Sequence, residues 1–223
     1  MEQADALLAF SRFVRDWYAN QGVPGERLRY VKRGIPVPAN LPSRSCTNNG
    51  TRFTYAGGLS WQKGVHILVE AFNGLRGSAD LVIAGDETKY PAYVRDLQER
   101  ARRPNVRFVG RLDRAEVWQA LVDSDVVVVP SLWFETFSML THEAFAAGVP
   151  VIASDHGALQ EAVRHRVDGL LVPPGDVAAW QEALQRLADN HELLGSLRAN
   201  VRSPLSFEEY VNQIERLSQS LAS

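Results

Sequence analysis

The stretch that most constrains this chain is residues 125–154, DVVVVPSLWFETFSMLTHEAFAAGVPVIAS. Residues 125–129 are a β-branched run, too short for a helix and closed by Pro130. Residues 149–153 are a second such run. Between them Met139, Leu140, Glu143, Ala144, Phe145 and Ala147 carry helical spacing, and Gly148 stands where a helix-ending glycine belongs. Two buried-type strands joined by one helix form a βαβ unit, which requires a parallel sheet. Ligands of such sheets bind just beyond the carboxyl ends of the strands.

At that end lies the loop 131–138, SLWFETFS. The spacing places the start of the following helix near Thr136. Free N–H groups from Phe137 through Met139 and the helix dipole would then favour a phosphate. Glu135 precedes that point, and Glu143 lies eight positions on, two turns deeper. The pair suits hydroxyl groups on either side of a diphosphate, as in sugar–diphosphate–ribose. Taken singly, each glutamate has an ordinary reading: Glu135 as a charge favoured at a helix N-terminus, Glu143 as a solvated helix residue.

The same alternation runs through most of the chain. Strand-like runs at 52–56, 79–84, 106–109 and 170–172 alternate with helical patterns at 65–75, 90–103, 113–122, 158–165, 176–188 and 191–200. Asp113 with Glu116 reads as a capping box, and Asp176 and Ser206 as caps. The fold class is α/β, a doubly wound parallel sheet. Ahead of it, 5–20 reads as an amphipathic helix, with Leu7, Phe10, Phe13, Val14 and Trp17 on one face, and 28–32 as a short strand. Residues 36–50 are rich in Pro, Ser and Asn and read as a linker.

Composition removes several classes. A net charge of −2 argues against nucleic acid or a membrane surface as partner. The single cysteine, Cys46, excludes an internal disulfide and a cysteine-based metal cluster. No apolar run approaches the roughly 20 residues of a transmembrane span, and the acidic start lacks the basic region of a signal peptide. A cytoplasmic location is the expectation. There is no Walker A, GxGxxG or Gly-x-Ser-x-Gly motif, and no metal-ligand spacing, so no metal or other cofactor is expected.

The string PSxxxETFxxxxxEAxAxGVPVIAS resembles the donor-site signature of retaining GT-B glycosyltransferases that use nucleotide-sugars, the group 1 glycosyl transferases. Gly57 to Gly64, GGLSWQKG, is similar to that family's Gly-Arg-Leu-x-x-x-Lys-Gly motif, whose arginine and lysine grip donor phosphates. Lys63 matches; Gly58 stands where the family has arginine, which removes one expected charge. Ser138 stands where the family usually has glycine. Ser11, Val14, Arg15, Gly22-Val23-Pro24 and Gly34-Ile35-Pro36 resemble the end of the family's acceptor-side domain.

The resemblance implies the C-terminal half of a GT-B fold, Rossmann-like. Residues 1–35 would be a remnant of the acceptor domain, 36–50 a linker, 51–204 the donor-binding domain and 205–223 a C-terminal helix. It implies transfer of a glycosyl group from a UDP-, GDP- or ADP-linked sugar, with retention. Glu135 would orient the sugar as the catalytic glutamate. Gly57, Gly58, Lys63, Arg111, Thr136, Phe137, Ser138, Met139 and Glu143 would bind the donor, with Arg111 near the base and Glu143 on the ribose. The family's histidine from the other domain has no counterpart. The expectation is therefore a donor half that needs a separate acceptor-domain chain. A non-catalytic nucleotide-sugar-binding subunit and a sugar-nucleotide epimerase-like relative remain as alternatives.

Overall fold

Short apolar runs, each closed by glycine, proline or a polar loop, become the strands of the main sheet. The computed structural model describes residues 4–45 and 50–222. In chain order the elements are β1 (Leu7–Ala9), α1 (Arg12–Asn20), β2 (Leu28–Tyr30), β3 (Thr51–Ala56), α2 (Val65–Asn73), β4 (Ala79–Ala84) and α3 (Pro91–Arg100). Then follow β5 (Val106–Phe108), α4 (Arg114–Val122), β6 (Val126–Val129), α5 (Met139–Ala146), β7 (Val151–Ser154) and α6 (Leu159–Ala162). Last come β8 (Gly169–Val172), α7 (Val177–Asp189), α8 (His191–Ala199) and α9 (Phe207–Ala222). Cys46 lies outside the described residues, as does the 46–49 part of the expected linker.

Six strands form one parallel sheet in the order β5-β4-β3-β6-β7-β8. The chain enters at β3, winds outward through β4 to β5, returns to lay β6 against β3, and winds the other way. Direction reverses between β3 and β6, which opens a crevice at their carboxyl ends. The expected doubly wound α/β fold is what the chain adopts.

Successive side chains of a strand point to opposite faces, and helices cover both faces here. Every residue of β6 is buried: Val126 and Val128 join one core, Val127 and Val129 the other. The first core packs Phe53, Leu81 and Ile83 against Leu68, Phe72, Leu97, Trp180 and Leu184. The second packs Val151 and Ala153 against Trp118, Leu121, Phe145 and Leu159. Each fully buried side chain such as Phe53 or Leu184 contributes about 1.5–3 kcal/mol.

The local stop and start signals act as read. Asp113 and Glu116 form a capping box, and Asp176 accepts from the Ala179 N–H at 3.0 Å. Helix α5 ends in a Schellman motif: Val149 N–H donates to the Ala144 carbonyl and Gly148 N–H to that of Phe145, with Gly148 at φ +72°.

Three expectations need correction. The helix expected over 5–20 starts only at Arg12. Leu7–Ala9 instead pairs in parallel with Leu28–Tyr30, and Ser11 caps α1 by accepting from the Val14 N–H. Strand pairing outweighs the helical spacing of the first residues. The helix expected over 158–165 spans only Leu159–Ala162. Beyond it Asp168 accepts from the Arg164 N–H (2.8 Å) and Nε (2.6 Å), which folds the chain into a turn before β8. The helix expected from Thr136 begins at Met139, because Ser138 takes a left-handed φ of +63°.

The described part of the first 35 residues is tied to the rest by hydrogen bonds and ring contacts, Phe13 on Phe134 (5.1 Å) and Arg33 over Phe137 (5.6 Å) among them. Glu161 of α6 accepts from the Arg12 N–H (3.0 Å) and Phe13 N–H (2.5 Å) at the start of α1. Ile35, fully buried, bridges Ser206 just before α9. No helix among the described residues is long and apolar enough to cross a membrane.

Candidate functional site

The crevice at the β3–β6 switch point holds two adjoining cavities that share Ala56, Gly57, Gly58 and Leu140. One, of 320 Å³, is lined on its polar side by Arg33, Lys63, Ser131, Glu135, Thr136 and Ser138, with Phe137 and Met139 beside them. The other, of 300 Å³, is lined by Gly85, Asp86, Arg111, Arg114 and Glu143 among others. Every residue expected from the sequence to bind or orient a donor lines one of the two.

The loops that carry these residues are built around close backbone approaches. Gly64, at φ +68°, follows the turn that presents Lys63, and a Cβ there would lie 1.9 Å from the Pro130 carbonyl oxygen. The Gln62 carbonyl accepts from the Leu132 N–H (2.8 Å) and the Trp133 N–H (3.2 Å), joining the β3–α2 loop to the β6–α5 loop. The Glu135 carbonyl accepts from the Ala158 N–H (3.1 Å), and His156 Nε2 donates to the Ser131 carbonyl (2.8 Å). Glu135 thus sits on a loop tied down from both sides.

Both carboxylates are paired with cations. Glu135 Oε1 lies 2.6 Å from Lys63 Nζ and also accepts from Ser131 Oγ at 2.6 Å. Glu143 is buried, and its Oε1 accepts from Arg114 Nη1 at 2.7 Å. The guanidinium of Arg114 rides over the Trp118 ring at 5.6 Å. Tyr55 OH donates to the Gly58 carbonyl (2.7 Å), shaping the glycine turn. Burial, and then the nearby Glu135, push its phenol far above the ordinary value, so it stays protonated and keeps donating.

The start of α5 differs from expectation in its donors. With the helix beginning at Met139, the first-turn N–H groups lacking an in-helix partner are those of Met139, Leu140 and Thr141. Phe137 and Ser138 precede the helix. Phe137 is buried and stacks on His142, with ring centroids 3.9 Å apart. His142 donates from Nδ1 to the Ser138 carbonyl (2.9 Å), and burial holds its pKa below the ordinary value, which keeps it neutral at pH 7. It is a packing residue and does not pair with Glu143.

Five residues of the site escaped the sequence reading, among them Arg33, which reaches the cavity from the segment before the linker. Arg114 was hidden as the first residue of α4; its one signal is its place three residues beyond Arg111. Ser131, Tyr55 and His156 act through contacts 3 to 25 positions away that no local pattern announces. Trp61 and Trp133 are strongly exposed, and neither lines the two cavities.

The model of the family described as glycosyl transferases group 1 matches residues 50–190. A glycogen synthase of Mycobacterium tuberculosis is 30% identical over 196 residues, 85% of this chain and 47% of that protein. A D-inositol 3-phosphate glycosyltransferase of Jonesia denitrificans is 36% identical over 225 aligned positions, covering 91% of this chain and 53% of its own length. The chain therefore spans about half the length of these curated relatives. Among solved structures, Anabaena HepE in complex with UDP and glucose superposes with a TM-score of 0.87 at 22% identity, over 97% of this chain and 63% of that one. Sucrose-phosphate synthase of Thermosynechococcus elongatus gives 0.87 at 26% identity, over all of this chain and 60% of that one. Sheet order, the crevice at its switch point and these matches agree: the chain belongs to the glycosyl transferases group 1 family and folds as the C-terminal, Rossmann-like part of a GT-B glycosyltransferase.

Proposed function

We propose that this chain binds the nucleoside-diphosphate-sugar donor of a retaining glycosyl transfer. The observation that carries the reading is the double cavity at the switch point, with Lys63 and Glu135 in one half and Arg111, Arg114 and Glu143 in the other. The sugar and diphosphate take the first half, the nucleoside the second. Lys63 and the first-turn N–H groups of α5 face the diphosphate, and stabilise it as a leaving group because they are already oriented where its charge develops. Glu135 accepts from sugar hydroxyls. Glu143 accepts from the ribose, with Arg114 fixing its other side. Arg111 lies at the base end. That HepE was crystallised with UDP supports a nucleoside diphosphate of this kind.

Such a donor site needs an acceptor wall. We assign that wall to a separate acceptor-side domain, consistent with the relatives being about twice as long. Residues 1–35 are the tail of that domain in this reading, 36–50 the linker and 51–204 the donor domain, with α9 closing back on Ile35.

Calorimetric titration with UDP, GDP and ADP, with and without EDTA, tests the reading. The chain should bind one of them, and EDTA should leave that binding unchanged, because a lysine and backbone N–H groups supply the positive field. Lys63→Ala should weaken it by about 1–3 kcal/mol, the scale of a charge-assisted hydrogen bond. Binding that EDTA abolishes would refute the metal-free assignment.

A further inference from the structure

In the free chain, the two residues assigned to the phosphate and to the sugar hold each other. Lys63 Nζ sits 2.6 Å from Glu135 Oε1, and Ser131 Oγ donates to that same oxygen. Glu135 is the more enclosed partner, its side chain 16% exposed against 39% for Lys63. Both line one cavity, and the loops beneath them are cross-tied through Gln62 and Ala158. The carboxylate is thus the more firmly held partner, and the lysine, on its longer stem, is the more exposed.

This arrangement has consequences for an anion that enters. A phosphate approaching Lys63 meets a full negative charge within one ion-pair distance, so the fields of this pair largely cancel, while Arg33 stands on the same lining as a further cation. To use the lysine, the ligand must draw it away from Glu135. A carboxylate that is little exposed and newly unpaired is costly unless hydrogen-bond donors replace the lost cation. Sugar hydroxyls are such donors; a bare terminal phosphate brings a further negative charge instead.

We propose that the Lys63–Glu135 pair is a latch that discriminates between loaded and spent donor. The diphosphate of a nucleotide-sugar pulls Lys63 across, and the sugar hydroxyls satisfy the released Glu135. After transfer the sugar is gone, Glu135 faces the nucleoside diphosphate unpaired, and the pair re-forms as the product leaves. Glu135 therefore weakens retention of the spent nucleotide as well as orienting the sugar. This inference rests on the donor-site reading above.

Calorimetry with UDP and UDP-glucose on the wild-type chain, Glu135→Gln, Lys63→Ala and the double variant tests it, with GDP or ADP and their sugars used if the wild type prefers those. Glu135→Gln should bind the bare nucleotide about three- to tenfold more tightly, because the binding-competent, unlatched state no longer has to be selected. The same substitution should bring no comparable gain for the nucleotide-sugar. In the Lys63→Ala background the gain for bare nucleotide should shrink by at least half. An equal gain in both backgrounds would mean simple charge repulsion and would overturn the latch, as would no gain at all. Failure of both the wild type and Glu135→Gln to bind any of the nucleotides would overturn the donor reading and the latch with it. Circular dichroism melts check that the variants fold; Glu135→Ala, which also removes the charge, carries the same expectation if Glu135→Gln does not.

Discussion

At the scale of single residues, Glu143 is the most enclosed acid of the site, its side chain 6% exposed, and it keeps its charge partner in Arg114. One oxygen accepts from Arg114, and in the proposed reading the other takes a ribose hydroxyl. Arg114 is itself mostly exposed and lines the same cavity, where it orients Glu143. Glu143→Ala should weaken nucleoside diphosphate and nucleotide-sugar alike, by about 1–3 kcal/mol, since the ribose is common to both. Arg114→Ala should cost stability as well as affinity, because a buried carboxylate loses its cation. Titration of both ligands against both variants, with a melt for each, checks this. Equal affinity of Glu143→Ala and wild type for the bare nucleotide would remove Glu143 from the ribose.

At the scale of elements, the site is set by how two loops lock together. The turn after β3 presents Lys63 only because Gly64 adopts φ +68° directly against the Pro130 carbonyl. A side chain there meets two obstacles. The left-handed conformation costs any other residue about 1 kcal/mol, and the Cβ would overlap backbone that has no room to yield. Gly64→Ala should therefore destabilise by clearly more than 1 kcal/mol and should also weaken nucleotide binding, as Pro130 and the loop after it are pushed away. Gly58→Ala is the control, since nothing lies within 4 Å of a Cβ there; its melting temperature should stay near that of the wild type. Chemical denaturation and calorimetry on the two variants give the comparison.

At the scale of the whole molecule, transfer requires the acceptor hydroxyl to be held against the anomeric carbon while water is kept out. Positioning of this kind supplies about 7–11 kcal/mol of a barrier. In the proposed reading the described chain builds the donor side, with the cavities at the carboxyl edge of the sheet. These 223 residues alone should bind a nucleoside diphosphate and yet transfer sugar at no useful rate. An acceptor-side domain of a relative, supplied in trans or fused ahead of residue 36, should raise turnover. The assay is transfer from a panel of nucleotide-sugars to lipid, glycan and protein acceptors. Steady multiple turnover by the chain alone would place the acceptor site within it.

What the amino-acid order determined by itself is what acts over a few positions. Alternating β-branched runs and helical spacing dictated a parallel α/β sheet, and Asp113, Asp176 and Gly148 set helix ends through bonds three to five residues long. The ETF…EA string marked Glu135 and Glu143 through its resemblance to the family's donor-site signature, while their spacing alone left each an ordinary reading. What tertiary structure decided is what those residues meet. Lys63 reaches Glu135 across 72 positions and Arg114 reaches Glu143 across 29, contacts that exist only because the sheet reverses direction between β3 and β6. Ser138 is left-handed, between Phe137 stacked on His142 and Glu135 bonded to Ala158, and so α5 begins three residues later than its spacing suggests. Leu7–Ala9 is a strand only because Leu28–Tyr30 lies beside it. Spacing reports which face a residue occupies; which partner waits on that face depends on the order in which the strands are laid down.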